Sequence, residues 1–89
     1  MMKCDVGSIV QSKAGRDNNE FFVVSRILDK EYVYLVDGKS RKLTAPKKKK
    51  IKHIFVYQQV SELKEKLEQA QYVLDSDIRK VLKSFKINM

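Results

Sequence analysis

The spacing of apolar residues changes once along this chain, near Tyr57, and that change limits the fold more than any other feature of the sequence. Before Tyr57 the apolar residues are mostly Val, Ile, Phe and Tyr in short runs, the pattern of buried or half-buried strands. After it, Val60, Leu63, Leu67, Ala70 and Leu74 recur at intervals of three and four residues, which sets them on one face of a helix. The expected order is strands, then helix: residues 1–57 as a small β unit and residues 58–89 as a helical extension packed on it. A chain of 89 residues has room for one domain with a small core.

Five strands are expected, enough for a small barrel: Ser8 to Ser12, Phe21 to Leu28, Tyr32 to Val36, Arg41 to Thr44 as the weakest candidate, and Ile51 to Tyr57. Phe21, Phe22, Val23, Val24 and Ile27 read as barrel core. Asp37-Gly38 is a two-residue hairpin signal, because such a turn needs a positive φ that Gly supplies at little cost. Ala14 to Asn19 reads as a polar loop joining the first two strands, and Asn tolerates left-handed backbone. In the helical part, Ser61 is a candidate cap, and Glu62 and Lys66 stand at i, i+4 in the favourable order. Asp75-Ser76-Asp77 offers a second start, followed by a stripe of Ile78, Leu82 and Phe85 with Val81 beside it, so a short helix pair is favoured over one long helix.

Charge is the second constraint. Nineteen Lys and Arg oppose eleven Asp and Glu, a formal net charge of +8. Residues 1–57 hold 13 basic and 6 acidic side chains, net +7, against 6 and 5, net +1, in residues 58–89. Lys39, Arg41, Lys42, Lys47, Lys48, Lys49, Lys50 and Lys52 follow one another without an acidic residue between them. Such a stretch repels itself unless a polyanion neutralises it, and Pro46 stiffens the entry to its lysine run. The alternative to phosphate binding is a solubilising tract.

Several classes of function are set aside. Cys4 is the only cysteine, so neither an intramolecular disulfide nor a cysteine-rich zinc cluster can form. His53, the only histidine, has no metal-ligand partners at suitable spacing. No carboxylate pair, phosphate-cradling Gly-rich loop or nucleophile triad is visible, so no enzyme, cofactor or metal is expected. The first residues lack a signal-peptide pattern and no run approaches the ~20 apolar residues of a membrane span. A cytoplasmic protein that avoids membranes is the expectation.

Val6-Gly7-Ser8-Ile9-Val10, then Ala14-Gly15-Arg16-Asp17, then Phe21-Phe22-Val23-Val24 and Ile27 together resemble a KOW motif. Tyr32 to Lys42, Pro46-Lys47-Lys48-Lys49-Lys50 and Lys52-His53-Ile54 extend the likeness to the KOW proteins of archaeal and eukaryotic large ribosomal subunits and their short bacterial relatives, over residues 5–55. The resemblance implies an SH3-like barrel, no catalytic centre, and RNA contacts from the loop around Gly15 and from the basic strip. One departure stands in that loop: many members place a second Gly just after the Asp, where this chain has Asn18 and Asn19.

The expected fold is thus mainly β with C-terminal α, an SH3-like barrel of about five strands followed by one or two helices. The expected function is RNA binding, with ribosomal RNA or the ribosome as partner. The candidate contacts are Lys13, Gly15, Arg16, Lys39, Arg41, Lys42, Lys47, Lys48, Lys49, Lys50, Lys52 and His53. Lysines supply affinity as point charges, while Arg16 can fork onto a phosphate or stack on a base. Tyr32 and Tyr34 share one side of a strand, where they either pack or stack on bases. The competing expectation is an adaptor in transcription or translation that docks a protein partner, or a second copy, through residues 60–85.

Overall fold

Five strands precede two helices: β1 (Ser8–Ser12), β2 (Phe21–Ile27), β3 (Tyr32–Val36), β4 (Lys47–Lys50), β5 (Ile54–Gln59), α1 (Ser61–Glu68) and α2 (Asp75–Ile87). The computed structural model describes residues 3–69 and 72–89. The strands form one antiparallel sheet in the order β4-β3-β2-β1-β5. Its two outermost strands, β4 and β5, are separated in sequence only by the 3₁₀ turn Ile51–His53. In a flat sheet those strands would stand ~19 Å apart, at ~4.8 Å per strand. A three-residue 3₁₀ turn rises only ~6 Å. The sheet must therefore curl until its edges approach, which gives a mainly β, barrel-like unit followed by two helices, compatible with an SH3-like barrel.

The curl gives the central strands two covered faces. Val10, Phe22, Val24, Val33, Leu35, Ile54 and Val56 fill the interior, with Cys4 and Ile51 packed at its margin. Ile9, Val23 and Val36 point the other way, under Leu63 of α1 and Ile78 and Leu82 of α2. This is why Ile9-Val10, Val23-Val24 and Leu35-Val36 are unbroken apolar pairs rather than alternating ones. Each fully buried side chain of this size contributes ~1.5–3 kcal/mol. The apolar stripe of residues 60–85 is thus largely spent on the chain's own core: Leu63, Ile78 and Leu82 are buried, and Leu67, Val73, Val81 and Phe85 pack around them.

Two glycines let the helices approach the sheet. A Cβ on Gly7 (φ +84°) would stand 2.8 Å from the Lys64 backbone nitrogen in α1. A Cβ on Gly38 (φ +79°) would collide with the Asp75 carbonyl at the start of α2. Arg79 donates to the Gly38 carbonyl at 2.5 Å and the Leu43 N–H to the Asp75 carboxylate at 2.8 Å, so the segment after β3 is tied to α2.

Several expected elements are corrected. The fourth strand is the lysine run, not Arg41 to Thr44. It is an edge strand, where Lys is favoured because its charge discourages pairing with another chain. Asp37-Gly38 does not close a two-residue hairpin. The N–H groups of Asp37 and Gly38 both donate to the Arg41 carbonyl, opening a longer connection to β4. β5 begins at Ile54, since Ile51–His53 forms the 3₁₀ turn. Ile27 is 36% exposed, beyond an irregularity in the β2–β3 register between Val24 and Arg26, and is not core.

The first helical stripe does not run through to Leu74. α1 ends at Glu68, Ala70 lies outside the described residues, and Leu74 stands before α2. There the Asp77 carboxylate accepts the Leu74 N–H at 2.9 Å and starts a new helix. Ser61 is the first residue of α1 rather than its cap; Val60 holds that position, with no side-chain capping bond. The Glu62–Lys66 pair forms at 3.5 Å on the exposed face, and α2 carries the expected stripe.

Candidate nucleic-acid interface

Side chains alternate along a strand, so the four lysines of β4 divide into two pairs. Lys47 and Lys49 stand opposite Leu35 and Val33, whose side chains enter the interior; Lys48 and Lys50 stand opposite Tyr34 and Tyr32. The division decides what each lysine can do.

Lys49 is 8% exposed and Asp17 6%, a buried ion pair between β4 and the β1–β2 loop. The Lys49 ammonium donates to Asp17 Oδ1 at 2.8 Å and to the Ala14 carbonyl at 2.7 Å. Ser12 Oγ donates to the same Oδ1 at 2.7 Å. Lys47 Nζ meets Oδ2 at 2.7 Å as an ion pair, off the angle of a good hydrogen bond. Burial alone would raise the Asp17 pKa, but the contacts from Lys47, Lys49 and Ser12 outweigh it and hold the carboxyl well below its ordinary value. One carboxylate thus takes two of the eight cations in the basic stretch. Their first role is to fix the β1–β2 loop against β4.

The outer pair stays available. Lys48 is exposed, with its ammonium 4.4 Å from the centre of the Tyr32 ring, and the Lys50 ammonium is 5.9 Å from it. A cation over a ring keeps its charge and is steadied by ~0.5–1 kcal/mol at such sites. Tyr32 is half-buried beneath them, serving packing and cation placement together.

Asp17 also brings together residues far apart in sequence. By docking its loop on β4 it sets Gly15 and Arg16 beside the lysine strand; a Cβ on Gly15 would stand 3.5 Å from Lys49 Nζ. Gly15 takes φ +84°, and Asn19 takes φ +74°, a left-handed conformation that Asn tolerates better than most residues. Arg16 is exposed and pairs with neither Asp17, which the lysines occupy, nor Glu20. Lys13 is exposed and donates to Gln11 Oε1 at 2.6 Å, while its N–H bonds the His53 carbonyl at 2.8 Å. Lys52 is exposed and His53 half-buried on the 3₁₀ turn.

Lys39, Arg41 and Lys42 form a separate group. The Asp37 carboxylate accepts the N–H groups of Lys39 and Arg41 at 2.9 and 2.8 Å and the Ser40 hydroxyl at 2.9 Å. Burial works against the charge on Asp37, yet these bonds prevail and keep its pKa below the ordinary value. The turn is a built structure with three exposed cations on it, tethered to α2 rather than to β4.

Sequence reasoning missed Arg79, Lys80, Lys83 and Lys86. The net charge of residues 58–89 concealed them, because α1 carries three glutamates against two lysines, whereas α2 has no acid after Asp77. The absence of acids beyond that residue was the available signal. Burial, and secondarily the Asp5 charge, push the Cys4 thiol pKa up, which disfavours the reactive thiolate.

Four of the nineteen basic side chains, Lys47, Lys49, Lys64 and Lys66, form ion pairs with carboxylates among the described residues. The other fifteen make no ion pair with a described carboxylate, and the chain's formal net charge is +8. No helix of the described residues is long and apolar enough to cross a membrane. No family model and no curated protein matches this chain.

Proposed function

We propose that this is a non-enzymatic, KOW-like RNA-binding protein of the cytoplasm that grips structured RNA, with ribosomal RNA or a ribosomal particle as its partner. One observation carries the reading: Arg16, Lys48, Lys50 and Lys52 form no ion pair with a described carboxylate, the Asp29 charge acting on Lys48 only from beyond ion-pair distance. Around them stand the Asp17 network, the Tyr32 ring and the 3₁₀ turn. A surface of unpaired cations suits a polyanion of regular charge spacing. Lysines track phosphates, and Arg16, on a loop tip beside them, is the residue able to add a bidentate phosphate contact or stack on an unpaired base.

The adaptor reading is less well supported, because the apolar residues it would present in α1 and α2 are largely buried against the sheet. Sedimentation with ribosomal particles from the native cell tests the proposal. The protein should travel with the particles at low salt and be released as salt rises; failure to co-sediment at any salt would count against a ribosomal partner. Binding to purified ribosomal RNA then distinguishes an RNA contact from a protein contact on the particle.

A further inference from the structure

The cations of α2 line a cleft that lies apart from the lysine strand. It opens between α2 and the segments Asn19–Phe21 and Asp37–Ser40, with a volume of about 930 Å3. Lys39, Arg79, Lys80, Lys83 and Lys86 border it, against Glu20 and Asp37 as its only acids. The Asp37 carboxylate is already engaged by its own turn. Arg79 donates to the Gly38 carbonyl, whereas Lys39, Lys80, Lys83 and Lys86 make no ion pair with a described carboxylate. The cleft therefore favours an anion. Its wall is partly apolar, including Phe21 and Leu82.

Phe21 also packs in a ring cluster beside the cleft, with centroids 5.4 Å from Phe85 and 5.6 Å from Tyr57, and Tyr57 and Phe85 are 5.8 Å apart. From this cluster a row of rings leads through Tyr57 to Phe55, 4.8 Å beyond it. The row is held in place: the Tyr57 hydroxyl donates to Gln11 Oε1 at 2.9 Å, and the Gln11 amide donates to the Asn19 carbonyl at 3.0 Å. It ends at Phe55, 42% exposed. A single exposed Phe needs no explanation by itself. Here it terminates a fixed row that starts in a cationic cleft, and Lys86 lies 6.0 Å from the centre of the Phe21 ring where the two meet. Cations at one end of a row of half-buried rings that finishes in an exposed Phe suit a chain of phosphates carrying unstacked bases. A duplex keeps its base faces covered.

We propose that the α2 cleft and the Phe21–Tyr57–Phe55 row bind a single-stranded RNA segment, with phosphates on Lys83 and Lys86 and an unpaired base on Phe55. This deepens the RNA reading and rests on it. The test measures fluorescence anisotropy of labelled oligouridine, and of a fully paired RNA hairpin, across a salt series. Phe55→Leu keeps the apolar bulk and removes the stacking face. It should weaken oligouridine binding about tenfold without changing the salt slope. Lys83→Gln with Lys86→Gln should lower the magnitude of the oligouridine slope by about 1.4, from ~0.7 per lost phosphate contact. All three side chains are exposed, and circular dichroism melting checks that the fold is kept.

Oligouridine binding unchanged in both variants overturns the proposal, and continued binding of the hairpin would leave the RNA reading standing. If wild-type protein binds neither RNA, both fall together. If poly-glutamate binds and is lost in the double Gln variant while oligouridine is ignored, the cleft is a site for acidic protein segments and the proposal is overturned.

Discussion

At the scale of the residue, the lysine run contains two kinds of lysine that composition alone does not distinguish. Lys49→Ala should destabilise the protein by about 2 kcal/mol, because it leaves the Ala14 carbonyl without that donor and removes one partner from the buried Asp17 carboxylate. Lys48→Ala removes the same charge from an exposed position and should change stability by less than about 1 kcal/mol. Urea denaturation of the two variants checks the contrast; equal losses would contradict it. Asp17→Asn should cost about 3 kcal/mol by leaving Lys49 buried beside a neutral amide.

The pH dependence follows from the same group. A depressed folded-state pKa means that Asp17 contributes stability fully above its ordinary value of 3.8 and loses that contribution as pH falls through its lower folded value. Melting temperatures should therefore fall more steeply for wild type than for Asp17→Asn on acidification below that value. The positive charge of the run was legible in the sequence. Its partner was not, because Asp17 and Lys49 are 32 positions apart and meet only after the sheet has curled.

At the scale of the element, β1 and β3 were legible to the residue, since their apolar residues leave few alternatives to a strand. β4 was not. Four consecutive lysines carry no hydrophobic alternation, and pairing with β3, the paired charge inside and the cation–ring contacts outside make the strand. α2 was legible from its stripe, although Leu74, and not Asp75-Ser76-Asp77, holds the cap position, while the continuation of α1 to Leu74 failed because apolar spacing alone does not reveal where a helix ends. The meeting of α2 with the turn after β3 gives a sharp prediction. Gly38→Ala should destabilise by more than the ~1–2 kcal/mol cost of a left-handed L-residue, because its Cβ also collides with the Asp75 carbonyl. Ile78→Ala, at a fully buried site under the same helix, should cost ~2–5 kcal/mol. Thermal melts of both check that α2 belongs to the cooperative core; an unchanged melt for Ile78→Ala would indicate a helix that unfolds separately.

At the scale of the whole molecule, the curled sheet sorts the cations into a structural pair, a group around the lysine strand and a group around α2. The total charge was legible, but this sorting required the topology, because Arg16 reaches the lysine strand, and Lys39 reaches α2, only through long-range contacts. If binding is driven by the outer cations, its salt dependence should reside in them. The most direct measurement is the slope of log affinity for ribosomal RNA against log salt for wild type and for Lys48→Ala with Lys50→Ala. The double variant should stay folded, bind more weakly, and lose about 0.7–0.9 of slope magnitude per lysine. An unchanged affinity and slope, or a wild-type protein that binds no RNA at low salt, would contradict the account.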